Sequence, residues 1–385
     1  MFMGYPKVTY KEEALREGMQ IEDASIPVAD KLRLLDALSE TGLKNIVVGS
    51  FVSPRYTPQM AKIDELMADF TPRPGVNYTA LALNERGKER AKQYSPPLTA
   101  NEDGKPFANL GCHLCDVFVR RNANRSQEDE ISAWESIVRG AIERGDKTAG
   151  ISLNAAWGSN FVGPFSLDVR MAMLKRQHTV WDEVGIQVTA VSFADPMSWT
   201  MPHELKAQLR AIKDRWPDIH DFGLHLHNAR GMAIVSAYSA LETLDETDTL
   251  RLDGSIGGIG GCPYCGNGRA TGLMPTEDVL HMLEEMGIDT GVDMDKLIDC
   301  VWMLEEILGR TTMGHVSKAG PRPHTSEEFY DPNAPFVETF DQAKHFKLGP
   351  EAYEGGIYPW REPIRSHQRP DTLNIVDFPR KVTRA

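Results

Sequence analysis

The sequence predicts an α/β fold: a (β/α)8 TIM barrel with a C-terminal irregular extension. Three observations carry that prediction. Eight apolar, β-rich runs alternate with amphipathic helical runs, the pattern of a parallel sheet joined by crossover helices. The length of 385 residues suits one large barrel with additions. The motifs able to do chemistry follow the ends of the β-rich runs, where barrel active sites lie. A doubly wound open sheet is the rival arrangement.

The strands are expected at residues 8–15, 45–50, 77–83, 109–114, 148–154, 186–193, 221–226 and 249–253. Helices fit between them. Leu34, Leu35 and Leu38 share one helical face, and Gly42 ends that helix. Residues 95–108 are rich in Pro, Asn and Gly and read as an exposed loop insertion. Ser126 caps a helix whose apolar face carries Ile131, Trp134, Val138 and Ile142. Leu205, Leu209 and Ile212 mark another helix, which begins at Pro202. Thr276 precedes Val279, Leu280 and Leu283, with Gly287 as the stop. No internal repeat is visible.

Near residue 320 the character changes to Pro, Gly, His and aromatic residues with little helical periodicity. Phe336, Phe340, Phe346, Tyr353, Tyr358 and Trp360 need burial, so this segment is too aromatic to be plainly disordered. The expected division is a catalytic barrel over residues 1–318 and an aromatic, Pro-rich extension over 319–385. The extension packs either on its own barrel or on a neighbouring subunit of a homo-oligomer.

Composition sets the outer limits. Hydrophobic content of 41% and charged content of 25% are ordinary for a globular enzyme. The net charge of −13 argues against nucleic acid or an anionic membrane as partner. No apolar run is long enough for a transmembrane helix, and the first ten residues lack the pattern of a secretory signal. Five cysteines, an odd number spread over a long chain, argue against a disulfide scaffold and fit a cytoplasmic location.

Three stretches carry residues suited to catalysis. In His225-Leu226-His227, strand alternation points both imidazoles to one side, where two such rings can ligate one metal. The blunt alternative is a pair of ordinary, hydrogen-bonded histidines. Arg16-Glu17 follows the first strand. There a carboxylate can complete a metal site and a cation can stabilise an enolate or thioester oxygen; a surface ion pair is the structural alternative. The run from Asp253 to Cys265 is rich in glycine and reads as a mobile loop presenting the Cys262 thiol, or as a flexible connection with a buried cysteine. It is not a dinucleotide fingerprint, whose glycines open a helix after the first strand. Cys112-x-x-Cys115 and Cys262-x-x-Cys265 have the spacing of zinc half-sites, or of redox pairs, but lie far apart in the chain.

These motifs, in this order, resemble the 3-hydroxy-3-methylglutaryl-CoA lyase branch of the metal-dependent barrel lyases and Claisen synthases. The likeness is carried by Gly260-Gly261-Cys262-Pro263-Tyr264, Ser50-Phe51-Val52-Ser53-Pro54 and Pro58-Gln59-Met60. It is carried also by Arg121-Asn122-Ala123-Asn124-Arg125-Ser126, His225-x-His227 and Thr276-Glu277-Asp278. It spans about Lys7 to Lys318. The resemblance implies that Arg16 polarises the thioester or enolate oxygen and that Cys262 is a loop thiol that moves a proton. It implies that Asp195 lies near the reacting hydroxyl and that His225 and His227 are metal ligands.

The sequence departs from the family at three places. Glu17 stands where the family has a metal-binding Asp. Val47 replaces a Glu at the second strand. The cysteine loop is two residues longer, making Asn267 the nearest candidate for the family's Asn ligand. The expected substrate is therefore a tertiary 3-hydroxyacyl-CoA other than 3-hydroxy-3-methylglutaryl-CoA, cleaved to an acyl-CoA enolate and an oxo acid. Mixed oxygen and imidazole ligands suit Mg2+ or Mn2+ better than Zn2+. A condensing synthase, or an aldolase that does not use CoA, is the nearest rival. A binding protein on a degenerate barrel is the rival of another class.

Overall fold

A computed structural model describes residues 4–82, 85–99, 107–265 and 272–325. The strands in chain order are β1 (Lys7–Glu12), β2 (Asn45–Ser50), β3 (Asn77–Leu81), β4 (Asn109–His113) and β5 (Thr148–Asn154). A two-residue pair follows, β6 (Gly158–Ser159) and β7 (Gly163–Pro164). Then come β8 (Gln187–Asp195), β9 (Asp221–Leu226) and β10 (Thr249–Gly254). Eight strands form one parallel, curled sheet in the order β3-β2-β1-β10-β9-β8-β5-β4, with helices in the crossovers. This is the expected barrel.

The predicted helical faces are the ones that pack. Leu34, Leu35, Leu38, Trp134, Leu205, Leu209, Ile212, Val279, Leu280 and Leu283 are buried. Ser126 closes a capping box with Asp129 at the start of helix Gln127–Arg144. Pro202 sits at the start of Pro202–Arg215, where its missing N–H costs nothing. Ile142 is a correction: it is exposed, because in the last turn Ala141 takes the inward position.

Other expectations shift at their edges. The first strand stops at Glu12 rather than residue 15. The Glu12 carboxylate accepts the Ala14 amide at 2.8 Å, and the chain winds into a π-helical turn, Ala14–Gly18. The first helix ends at Ser39, where the Ser39 hydroxyl donates to the Leu35 carbonyl; Gly42, at φ +97°, turns the chain beyond it. The insertion at 95–108 is not wholly exposed. Leu98 is buried and bridges Tyr78 of β3, while residues 100–106 lie outside the described residues.

Register positions the site. Lys11 of β1 pairs with Asp253 of β10, and Asp253 with His225 of β9. His225 pairs with Ala194 of β8, Ala194 with Asn154 of β5, and Asn154 with His113 of β4. Six residues thus form one row at the carboxyl end of the barrel. The barrel lies in a unit ending at Gly314, and the short helix Val316–Ala319 belongs to the next. The expected aromatic extension lies, from residue 326 onward, outside the described residues. Among the described residues, no helix is long and apolar enough to cross a membrane.

Candidate active site

The π-helical turn after β1 sets the centre. Its defining bond runs from the Gly18 amide to the Glu13 carbonyl at 3.0 Å, five residues back. The turn buries Glu17 beside Arg16, whose Nη1 donates to Glu17 Oε2. Arg16 Nε donates to Glu13 Oε2 at 2.7 Å. Glu17 reaches both histidines: Oε1 lies 2.9 Å from His227 Nε2 and Oε2 lies 3.3 Å from His225 Nε2. The two rings are 5.5 Å apart between centroids. The expected side-by-side arrangement of the imidazoles is present, and the Arg16–Glu17 pair is buried rather than a surface ion pair.

The ligand atoms of Glu17, His225 and His227 all lie within 4.8 Å of one another, a grouping that could hold a metal ion. The donor chemistry fits one. Neither ring nitrogen of the buried His227 makes a well-aligned hydrogen bond, although Nε2 faces a carboxylate oxygen. A ring nitrogen and a carboxylate that converge in this way suit positive charge between them, as a proton or as a metal ion. The His225 ring is fixed from behind, with Nδ1 3.0 Å from Asp253 Oδ2, a carboxylate that orients the ring of a metal-type histidine.

The field at this point favours positive charge. Burial works to neutralise Glu17, but Arg16 and His225 outweigh it and hold the carboxyl well below the usual range. Burial likewise opposes charge on His225, and Glu17 and Asp253 overcome it, raising the imidazole to about 10. Asp253 is held low against burial by Lys11 and His225.

The cysteine loop lies on this turn. Gly257, Gly258 and Gly260 have φ of +64°, +62° and +108°. A Cβ on Gly260 would stand 2.9 Å from the Glu17 carbonyl oxygen, so glycine lets the two backbones touch. Gln20 Nε2 donates to the Gly261 carbonyl at 3.1 Å. Cys262 is buried with Cys115, Cys265, Phe118, Ala155 and Met197. The described part of the loop is thus docked on the turn. The Cys265 thiol is pushed well up by its hydrogen bond with Cys262 and by burial. Asn267, the expected fourth ligand, lies outside the described residues. The residue bridging the His227 backbone beyond the loop is Leu273.

The two Cys-x-x-Cys patterns do not pair as zinc half-sites. Cys112 belongs to the main core while the other three form the separate cluster, and the described groups that could hold a metal contain no cysteine. Asp195 ends β8 as expected, fully buried. Its Oδ1 accepts the Trp199 amide at 3.0 Å, and its Oδ2 accepts the Thr200 amide at 2.6 Å and the Thr200 hydroxyl. Val47 is buried in β2 and brings no polar group.

Sequence reasoning missed several residues. Lys11, Glu13 and Asp253 surround the centre; the signal was charge at alternate positions 11 and 13 at the end of β1, and an acid on β10, the neighbour of the strand bearing the histidines. Glu12 was hidden inside the first strand. Its carboxylate accepts the Ile256 amide at 3.1 Å and the Thr276 hydroxyl at 2.6 Å. His113, noticed only as the spacer of a Cys-x-x-Cys, holds Glu130 by Nδ1 at 2.8 Å and leaves Nε2 buried without a partner.

A family model described as HMGL-like matches residues 7–303. The chain belongs to the HMGL-like family. The HMGL-like chain is 31% identical over 309 residues to the hydroxymethylglutaryl-CoA lyase of Bacillus subtilis, covering 80% of this chain and 96% of that one. It is 31% identical over 324 residues to the (R)-citramalyl-CoA lyase of Chloroflexus aurantiacus, covering 82% and 95%. Among solved structures it matches an HMG-CoA lyase from Acinetobacter baumannii, in complex with coenzyme A and 3-methylmalate. That match has a TM-score of 0.65 at 26% identity and covers 82% of this chain and 95% of the other. This HMGL-like protein is a carbon–carbon lyase, with its candidate metal centre at the carboxyl end of the barrel.

Proposed function

We propose that this lyase cleaves a tertiary 3-hydroxyacyl-CoA, other than 3-hydroxy-3-methylglutaryl-CoA, into an acyl-CoA and an oxo acid, with a divalent ion at Glu17, His225 and His227. The carrying observation is the convergence of one carboxylate and two imidazoles beside a largely buried guanidinium. Relatives named for hydroxymethylglutaryl-CoA and (R)-citramalyl-CoA support a CoA thioester and show that the substrate's acyl part varies. The mixed donor set favours Mg2+ or Mn2+ over Zn2+.

When bound there, such an ion supplies a Lewis acid that acidifies the substrate hydroxyl. As the hydroxyl proton passes to solvent water, the carbinol carbon becomes a carbonyl and its bond to the carbon α to the thioester breaks. The electron pair of that bond becomes the enolate. The Arg16 guanidinium, held by Glu13 and Glu17, faces the negative charge that develops on the enolate oxygen. The Cys262 thiol delivers the proton that completes the acyl-CoA. Asp195 acts as an anchor, because three donors already occupy its oxygens and fix the loop at 199–200 beside His227. The long aromatic extension supports a homo-oligomer, which light scattering tests.

The experiment is a screen of 3-hydroxyacyl-CoA thioesters and hydroxy-oxo acids with Mg2+ or Mn2+. Expected is release of acyl-CoA and oxo acid from a thioester, lost on chelation and lost in His225→Ala/His227→Ala with the fold retained. Full turnover by metal-stripped enzyme would overturn the metal role, and cleavage confined to free hydroxy-oxo acids would overturn the thioester.

A further inference from the structure

Two groups of ligand-type side chains meet at His225. Glu17, His225 and His227 form one; Glu13, His225 and Asp253 form the other, and within each the donor atoms lie within 4.8 Å of one another. They use opposite nitrogens of the ring: Nε2 faces Glu17 at 3.3 Å and Nδ1 faces Asp253 at 3.0 Å. A neutral imidazole has one N–H and one lone pair. It can give a metal its Nε2 lone pair only while Nδ1 carries the proton. Ions on both groups would compete for that one lone pair, and the ion that lost it would be left with the carboxylates alone.

The second group already holds a cation. Lys11 stands beside Asp253 in the β1–β10 register, as Asp253 stands beside His225 in the β10–β9 register. Lys11 Nζ lies 3.1 Å from Asp253 Oδ1 and 3.7 Å from Glu13 Oε1. The remaining oxygens of those carboxylates have donors of their own. Glu13 Oε2 takes Arg16 Nε, and Asp253 Oδ2 takes His225 Nδ1. A lysine ammonium is a compact point charge with three donors, suited to sit between two carboxylates.

We propose that Lys11 is a built-in cation filling the second of two overlapping cation positions, so that the centre takes one divalent ion, at Glu17, His225 and His227. The proposal rests on the metal reading above and adds what limits and places the ion. With the ammonium against Oδ1, Asp253 keeps Oδ2 on His225 Nδ1, and the ring presents Nε2 to Glu17. Lys11 is therefore a positioning residue, acting through Asp253 and His225.

The test is Mn2+ binding to the full-length protein, counted by elemental analysis after dialysis and read by electron paramagnetic resonance. The wild type and Lys11→Arg should each hold one Mn2+ per chain with the spectrum of an isolated ion. Lys11→Met should hold two, and because the ions then compete for His225, affinity for the more tightly held one should fall at least about tenfold. Lys11→Met with one ion at wild-type affinity would overturn the proposal while leaving the metal reading intact. A wild type that takes no Mn2+ would overturn both. Lys11→Met leaves the buried Glu13 and the half-buried Asp253 without their ammonium, so it could fail to fold. Saturation of the wild type decides independently of that variant: two ions per wild-type chain would overturn the proposal.

Discussion

Glu17 is one methylene longer than the aspartate its position carries in the lyases the sequence resembles, and the extra length is used. Its two oxygens reach both imidazoles, at 2.9 and 3.3 Å, while Arg16 holds it from the side. Glu17→Asp should therefore weaken metal binding and lower turnover, since a misplacement of about 1 Å can cost on the order of 10²-fold. Faster cleavage of 3-hydroxy-3-methylglutaryl-CoA by that variant would show the longer side chain to be an impairment. Cys262→Ala should lower turnover by roughly 10²–10⁴, the scale of a positioned acid or base. Cys265→Ala should do much less, because its thiol is held protonated by Cys262 and by burial; equal losses in the two would remove the special role of Cys262. Asp195→Asn keeps an oxygen for the Trp199 amide, so its expected loss lies below the acid–base scale. A larger loss with a displaced pH–rate profile would make Asp195 the base.

At the scale of elements, the site depends on a loop laid against a turn. The π-helical turn exposes the Glu17 carbonyl to Gly260, and the Glu12 carboxylate ties the start of that loop, at Ile256, to β1. Gly260→Ala places a Cβ 2.9 Å from that carbonyl at a φ of +108°. The strain is on the order of 1–3 kcal/mol and falls on the loop rather than on the barrel. Turnover should drop with the circular dichroism spectrum kept; unchanged kinetics would show that the close approach is not required. The apolar faces of the helices and the strand cores were legible in the sequence, because burial follows residue type at a fixed period. The turn at 14–18 was not, because a π-helical winding has no residue pattern of its own and here follows from the bonds made by Glu12 and Glu13.

At the scale of the whole molecule, two fully buried glutamates make stability depend on pH. Burial raises Glu277 from 4.5 to about 8, against hydrogen bonds from the Gly257 amide and its own, and raises Glu12 to about 7. An unfolded chain releases these protons near 4.5, so above that pH the folded state holds protons the unfolded state has lost. Their stabilisation is full below about 4.5 and is lost as pH rises through about 7 and 8. Glu277→Gln should flatten the fall of unfolding free energy between about pH 5 and 8 by up to one proton, or about 1.4 kcal/mol per pH unit. Denaturant unfolding at several pH values measures this. An unchanged slope would mean that Glu277 is ionised in the fold.

The sequence by itself determined the barrel, the two histidines on one side of a strand, and the neighbourhood of Arg16, Glu17 and Cys262 to a strand end. Those features depend on local period and on short motifs, which a single chain displays. Only the tertiary structure decided that Glu17 reaches both imidazoles, that Asp195 accepts three hydrogen bonds from its own loop, and that Lys11, Asp253 and His225 stand in one row. Strand β1 is far from β9 and β10 in sequence, and the register between parallel neighbours is set by packing around the whole barrel, which no stretch of sequence displays.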